Sequence, residues 1–176
     1  MIVQANAHLG FNCKCLDSTV AFYRDVLGCR EAFTLYYGDL IPKEPERLAA
    51  MEPETLLRLE QLRDVRWIVY LEWMDGFFIE LFNEVDARVD NPYDPTHFGF
   101  THFSFVVDDI HGFHQELLDK GAGGYIDLLP SPTIDRNWSM WFHDPEGNRI
   151  EVLQYGETAM QKVGKELGTM QQEVTE

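Results

Sequence analysis

The stretch WFHDPEGNRIEVLQ, residues 141–154, decides the fold. Its centre, Asp144-Pro145-Glu146-Gly147, fits a type I turn, with Asp first, Pro second and Gly fourth. The flanks, Trp138 to His143 and Asn148 to Tyr155, read as strands. The second flank carries one carboxylate, Glu151, inside the otherwise apolar run R-I-E-V-L. An ionised carboxylate buried there without a partner is costly, so a partner is expected. Upstream, Tyr125 to Leu129 reads as another strand, closed by a Pro-rich turn at Pro130 and Pro132. Before it, Asp108-Asp109 caps a helix from Ile110 to Lys120, which Gly121 stops. The run THFSFVV, residues 101–107, reads as the first strand of this set and carries His102.

The same order is legible earlier in the chain. Ala7 to Cys15 reads as a strand carrying His8, and Asp17-Ser18 as the cap of a short helix from Thr19 to Leu27 that Gly28 ends. Glu31 to Tyr37 and Trp67 to Trp73 read as strands. Asp75-Gly76 then makes a hairpin turn into Phe77 to Phe82, the strand carrying Glu80. The chain is therefore expected to be α+β, built of two tandem βαβββ modules whose curved mixed β-sheets surround a metal-binding cavity, with the helices outside. Residues 1–97 hold the first module, a helical insertion at about 42–64 and a linker; residues 98–155 hold the second module; residues 156–176 form a helical tail. Glu80 follows His8 at a longer interval than Glu151 follows His102, and the insertion accounts for the excess. In the tail, Met160, Val163, Leu167, Met170 and Val174 form an apolar helical stripe that needs a surface to dock on.

Composition narrows the partners. The chain has 176 residues, is 45% hydrophobic, and carries a net charge of −16 from 30 acidic and 14 basic residues. Such a surface repels nucleic acid and anionic membranes, so neither is expected as a partner. Cys13, Cys15 and Cys29 are an odd number without CxxC spacing, which reads as reduced thiols. No signal-peptide pattern opens the sequence and no apolar run reaches the ~18–20 residues of a membrane span. A cytoplasmic location is expected.

His8, Glu80, His102 and Glu151 occupy equivalent places in the two modules. Two imidazoles and two carboxylates suit one divalent ion, Zn, Ni, Mn, Co or Fe, and the carboxylates neutralise its charge. Strand alternation places Gly10 and Asn12 beside His8, Ser104 and Val106 beside His102, Phe78 and Phe82 beside Glu80, and Arg149 and Leu153 beside Glu151. Asn12, Phe78, Phe82, Ser104 and Arg149 are thus candidate substrate-pocket residues. Trp138 and Trp141 fall on opposite faces of one strand, so one of them should line the cavity, with Trp138 the candidate. His111 and His114 share a helix face expected to be solvated; His143 is expected at the rim, and His97 lies in the linker.

The segments AHLGFN (7–12), LDSTVAFYRDVLG (16–28), THFSFVVDDI (101–110) and WFHDPEGNRIEVLQ together resemble the vicinal oxygen chelate superfamily. This family includes glyoxalase I, methylmalonyl-CoA epimerase, extradiol dioxygenases, and fosfomycin and bleomycin resistance proteins. The resemblance covers residues 6–40 and 66–155 and leaves out the insertion and the tail. By position, His8, Glu80, His102 and Glu151 match the four metal ligands of glyoxalase-I-type members. Epimerases of the family usually have Gln at the place of Glu80, and the dioxygenases keep two His and one Glu.

The resemblance implies one divalent metal ion per site, a small substrate with vicinal oxygens, and a homodimer. It implies lyase or isomerase chemistry by proton abstraction and enediolate stabilisation, with Glu151 as base and Glu80 as the alternative. Two departures argue against a glutathione adduct as substrate. Asn12 stands where glyoxalase I commonly has Arg, and SPTIDRNW (131–138) replaces its Lys/Gly-rich loop. No basic cluster suits a phosphonate, which argues against fosfomycin transfer. The alternatives are an extradiol-type Fe(II) dioxygenase and a non-catalytic drug-binding resistance protein.

Overall fold

The computed structural model describes residues 7–83 and 100–163. The chain divides into two compact units, Met1–Val89 and Asp90–Glu176. Each holds one four-stranded mixed sheet with helices, the α+β arrangement expected for tandem βαβββ modules.

In the first unit, β1 (His8–Cys13), β2 (Arg30–Tyr36), β3 (Arg66–Met74) and β4 (Phe77–Asn83) lie in the order β1-β4-β3-β2. β1 runs parallel to β4, while β3 is antiparallel to both β4 and β2. Parallel neighbours cannot be joined by a tight turn, so the crossover carries α1 (Leu16–Ala21), which continues as a wider helical turn over Phe22–Val26. One sheet face is sealed by apolar side chains. Val69, Leu71, Ile79 and Leu81 are fully buried, and Tyr23, also fully buried, stacks on Phe11 at 6.5 Å.

The helix begins three residues before its expected start. The Cys15 carbonyl accepts from Thr19 N at 3.1 Å, Ser18 Oγ at 3.0 Å and Thr19 Oγ1 at 3.1 Å. Asp17, expected to cap, is instead drawn to the Arg66 guanidinium. The insertion forms α2 (Pro45–Ala49) and α3 (Pro53–Gln61), each with Pro in its first turn, where the missing N–H costs nothing.

In the second unit, β5 (Phe103–Val106), β6 (Ile126–Pro132), β7 (Asn137–His143) and β8 (Arg149–Tyr155) lie in the order β5-β8-β7-β6. The pairing repeats that of the first unit, with β5 parallel to β8 and the other neighbours antiparallel. α4 (Ile110–Asp119) packs against β6, β7 and β8. Asp109 caps it as expected, accepting from His111 N at 3.1 Å and Gly112 N at 3.0 Å. Ile110, Leu117, Met140, Phe142, Ile150 and Val152 are the buried contacts of this layer.

Two strand expectations need correction. β5 begins at Phe103 because its partner β8 begins only at Arg149, after the turn, so His102 stands just before the strand rather than within it. The Pro-rich segment is not a turn. Pro130 and Pro132 belong to β6, an edge strand whose pairing slips between Leu128 and Ser131. An edge strand with an irregularity is where a sheet tolerates a residue without an N–H.

The predicted tail stripe is described only as far as Val163; Leu167, Met170 and Val174, like His97, lie outside the described residues. Its first turn docks on its own unit. Met160 N donates to the Asp135 carbonyl at 3.0 Å. Gln161 donates to Asp135 Oδ2 at 2.6 Å and accepts from Asn137 Nδ2 at 2.7 Å.

Hydrogen bonds from Thr133, then Gln161 and Asn137, hold the Asp135 carboxyl below the usual range. A carboxyl whose folded pKa is depressed contributes stability above its unfolded pKa and loses it as pH falls through the folded value. Asp135→Asn is therefore expected to lower the thermal midpoint at pH 7. The gap from wild type should shrink as pH falls below ~4, the ordinary Asp value. A gap that stays constant from pH 7 to pH 3 in calorimetric scans counts against this linkage.

Candidate functional site

In the first unit, the register places Phe78 beside His8, Glu80 beside Gly10 and Phe82 beside Asn12. Residues opposite one another in adjacent strands point to the same side, so these six share one sheet face. The other face is the one sealed by α1. Glu80 is only 6% exposed, and its Oε2 lies 3.3 Å from His8 Nε2. Gly10 makes the room: a Cβ there would sit 3.2 Å from the Phe82 ring and 3.5 Å from Glu80 Oε2.

Sequence reading did not find one further residue on this face. Tyr70 of β3 is registered with Glu80 and stacks on Phe33 at 4.2 Å, with Phe78 edge-on at 6.3 Å. The neighbouring Glu80 carboxylate, then burial, pushes the phenol up to about 12.

The second unit repeats the pair. Glu151 is registered with Ser104 on one side and Trp141 on the other. Its Oε2 lies 3.5 Å from His102 Nε2. His102 is held from two directions, by Thr101 Oγ1 at 2.9 Å from Nδ1 and by the Trp141 ring at 4.7 Å. A partner on the second ring nitrogen fixes which way an imidazole presents the first. The Arg149 guanidinium lies over Trp141, 4.4 Å from the ring centre. Burial raises the Glu151 carboxyl above its usual range, Asp135 adds to this, and His102 and Arg149 oppose it.

Trp138, the sequence candidate, is on the other face. It is registered with Gln154 and packs against His111 of α4 at 4.9 Å. Trp141 is the tryptophan that shares the face of Glu151. His143 meets Asp127 at 2.9 Å and is registered with Arg149.

Two metal–ligand bonds of ~2.1 Å at a right angle would set their donor atoms about 3.0 Å apart. Both pairs come close to this, and both are of the imidazole–carboxylate kind that divalent transition metals accept. Within neither unit do the described residues gather three such donors. A cavity of about 300 Å³ in the first unit is lined by Cys15, Leu16, Asp17, Val65, Arg66 and Asn83, none of them a member of a pair.

Over residues 6–152 the sequence matches the Glyoxalase/Bleomycin resistance protein/Dioxygenase superfamily. The chain belongs to that superfamily. Solved structures share its fold at low identity. A glyoxalase/dioxygenase from Nostoc punctiforme is 20% identical, with a TM-score of 0.56 over 88% of this chain and 92% of that one. A lactoylglutathione lyase from Agrobacterium tumefaciens is 19% identical, with a TM-score of 0.54 over 88% and 96%. A fosfomycin resistance protein from Listeria monocytogenes is 12% identical, with a TM-score of 0.55 over 89% and 97%. No curated protein matches the chain. The superfamily spans lyases, dioxygenases and resistance proteins, so membership fixes the scaffold and leaves the reaction to the site residues. No described helix is long and apolar enough to cross a membrane.

Proposed function

We propose that this superfamily member is a metal-dependent lyase or isomerase of glyoxalase type, acting on a small compound with vicinal oxygens. The observation that carries the reading is the repeated donor pair: His8 with Glu80, and His102 with Glu151, each Nε2 to Oε2 within 3.5 Å. The burial of Glu80 supports it, because a carboxylate at 6% exposure calls for a cationic partner. The proposed ligands of the ion, Zn, Ni, Mn, Co or Fe, are His8, Glu80, His102 and Glu151, from one chain or from two chains of a homodimer. When bound, the ion supplies Lewis-acid polarisation of the substrate's adjacent oxygens.

The protein's own residues do the rest. Glu151 takes the proton from the carbon next to the carbonyl and returns it at the neighbouring carbon. Its raised proton affinity suits that role better than an ordinary carboxylate would. Phe78 and Phe82 shield the donor face of the first unit from water, Asn12 and Ser104 offer small polar contacts, and Arg149, braced on Trp141, balances charge on an oxygen-rich substrate.

Elemental analysis of protein purified without added metal is expected to find about one divalent ion per four-donor set. The loaded protein is expected to exchange the C–H next to the carbonyl of a simple α-hydroxy ketone or aldehyde in D2O, followed by NMR, and to lose that exchange on chelation. Absence of both the ion and the exchange overturns the reading. Aerobic consumption of catechol by Fe(II)-loaded protein, unaffected by Glu80→Gln, would instead mark a dioxygenase. Drug binding that survives both chelation and Glu151→Gln would mark a resistance protein.

A further inference from the structure

The two donor pairs differ at one equivalent position. In the first unit, the residue registered with the carboxylate from the neighbouring strand is Tyr70; in the second it is Trp141. Both sit on the third strand of their module, on the face of the pair. Their chemistry is different. A phenol donates an O–H directly to a carboxylate across the ladder, and side chains opposite one another in a sheet are close enough for that. The indole of Trp141 packs edge-on against His102 at 4.7 Å and carries Arg149 at 4.4 Å, so it braces the imidazole and the arginine.

We propose that Tyr70 is a positioning residue: its hydroxyl pins Glu80 in the orientation that faces His8, making Glu80 the fixed carboxylate and leaving Glu151 as the one that moves protons. The inference rests on the metal-dependent reading above and adds to it the group that separates the roles of the two glutamates. The ring of Tyr70 has little freedom, held by Phe33 stacked at 4.2 Å and Phe78 at 6.3 Å, so its hydroxyl is a preset donor. Phe82 and the absence of a side chain at Gly10 complete the slot in which the carboxylate lies. An acceptor held in this way loses little rotamer entropy when it binds a cation.

The full-length protein, stripped by chelation and titrated with Co(II) by calorimetry and by absorption of the bound ion, tests this. Tyr70→Phe keeps the stacked ring and removes only the hydroxyl. It is expected to weaken Co(II) binding by about 10-fold or more, the scale of losses when the hydrogen-bond partner of a ligand is removed, and to shift the Co(II) absorption bands. In a Glu80→Ala background the same change is expected to move affinity less than about twofold, because its route to the ion is gone. An unchanged Kd and spectrum in Tyr70→Phe overturn the assignment. So does an equal loss in both backgrounds, since that would act through the sheet rather than through Glu80. Wild-type protein that takes up no Co(II) instead sinks the metal-dependent reading, and the assignment with it.

Discussion

Glu151→Gln is expected to reduce metal-dependent C–H exchange by about 10²–10⁴-fold, the usual contribution of a positioned general base. The amide keeps the size and the carbonyl oxygen of the side chain but cannot accept the proton. Glu80→Gln is expected to cost less, because its part is to hold the ion, and an amide oxygen still presents a donor. The environments of the two carboxylates set this order. Glu80 keeps only 9% of its side chain exposed and lies opposite the held ring of Tyr70, which favours a stationary group. Glu151 keeps 18% of its side chain exposed and is shifted toward protonation by burial, which favours a group that exchanges a proton. Rates compared at saturating metal, with Kd measured for each variant, separate loss of the base from loss of the ion. Full exchange in Glu151→Gln at saturating metal would remove this residue as the base, and a larger loss in Glu80→Gln would transfer the role to Glu80.

The sequence carried the modules and the membership of each donor pair, because period-two alternation and turn chemistry are local signals. His8, Glu80, His102 and Glu151 were legible as members of two equivalent pairs, and the glycines and aspartates around each helix placed it to within a few residues. The partners of the glutamates on the third strands were harder to read, and the reason is register. A plain two-residue Asp75-Gly76 turn starts from Met74 opposite Phe77, as observed, and would carry on to put Leu71 opposite Glu80. A slip between Glu72 and Met74 moves the pairing by one residue, which brings Tyr70 to the face of Glu80 and sends Leu71 to the core. A bulge of this kind leaves no unambiguous mark in the residues that form it. The tryptophan in the second unit was more accessible. A type I turn followed by Gly147 at φ 85 closes a three-residue loop with Asp144 opposite Asn148, and counting back from there places Trp141, not Trp138, opposite Glu151. Trp138 failed as a pocket candidate because alternation names two faces without saying which one the turn selects.

That turn also carries the largest stability prediction. Asp144 is fully buried. Its Oδ1 accepts from Glu146 N and Asn148 N, both at 2.9 Å, and its Oδ2 accepts from Asn148 Nδ2 at 2.8 Å. Hydrogen bonds to a charged acceptor are the strong kind, and Asp144→Ala removes all three while leaving polar groups in the turn without this acceptor. The expected cost is about 2–4 kcal/mol, which for a chain of this size lowers the thermal midpoint by roughly 6–12 °C. Asp144→Asn, which retains one acceptor oxygen, is expected to cost less. The consequence reaches the site, because the turn fixes the β7–β8 register, and a one-residue slip there would put Trp141 on the face opposite to Glu151 and Arg149. Asp144→Ala protein examined below its midpoint should therefore lose Co(II) affinity as well as stability. A variant that melts within 1–2 °C of wild type would mean that Pro145 and Gly147 set the turn without the aspartate.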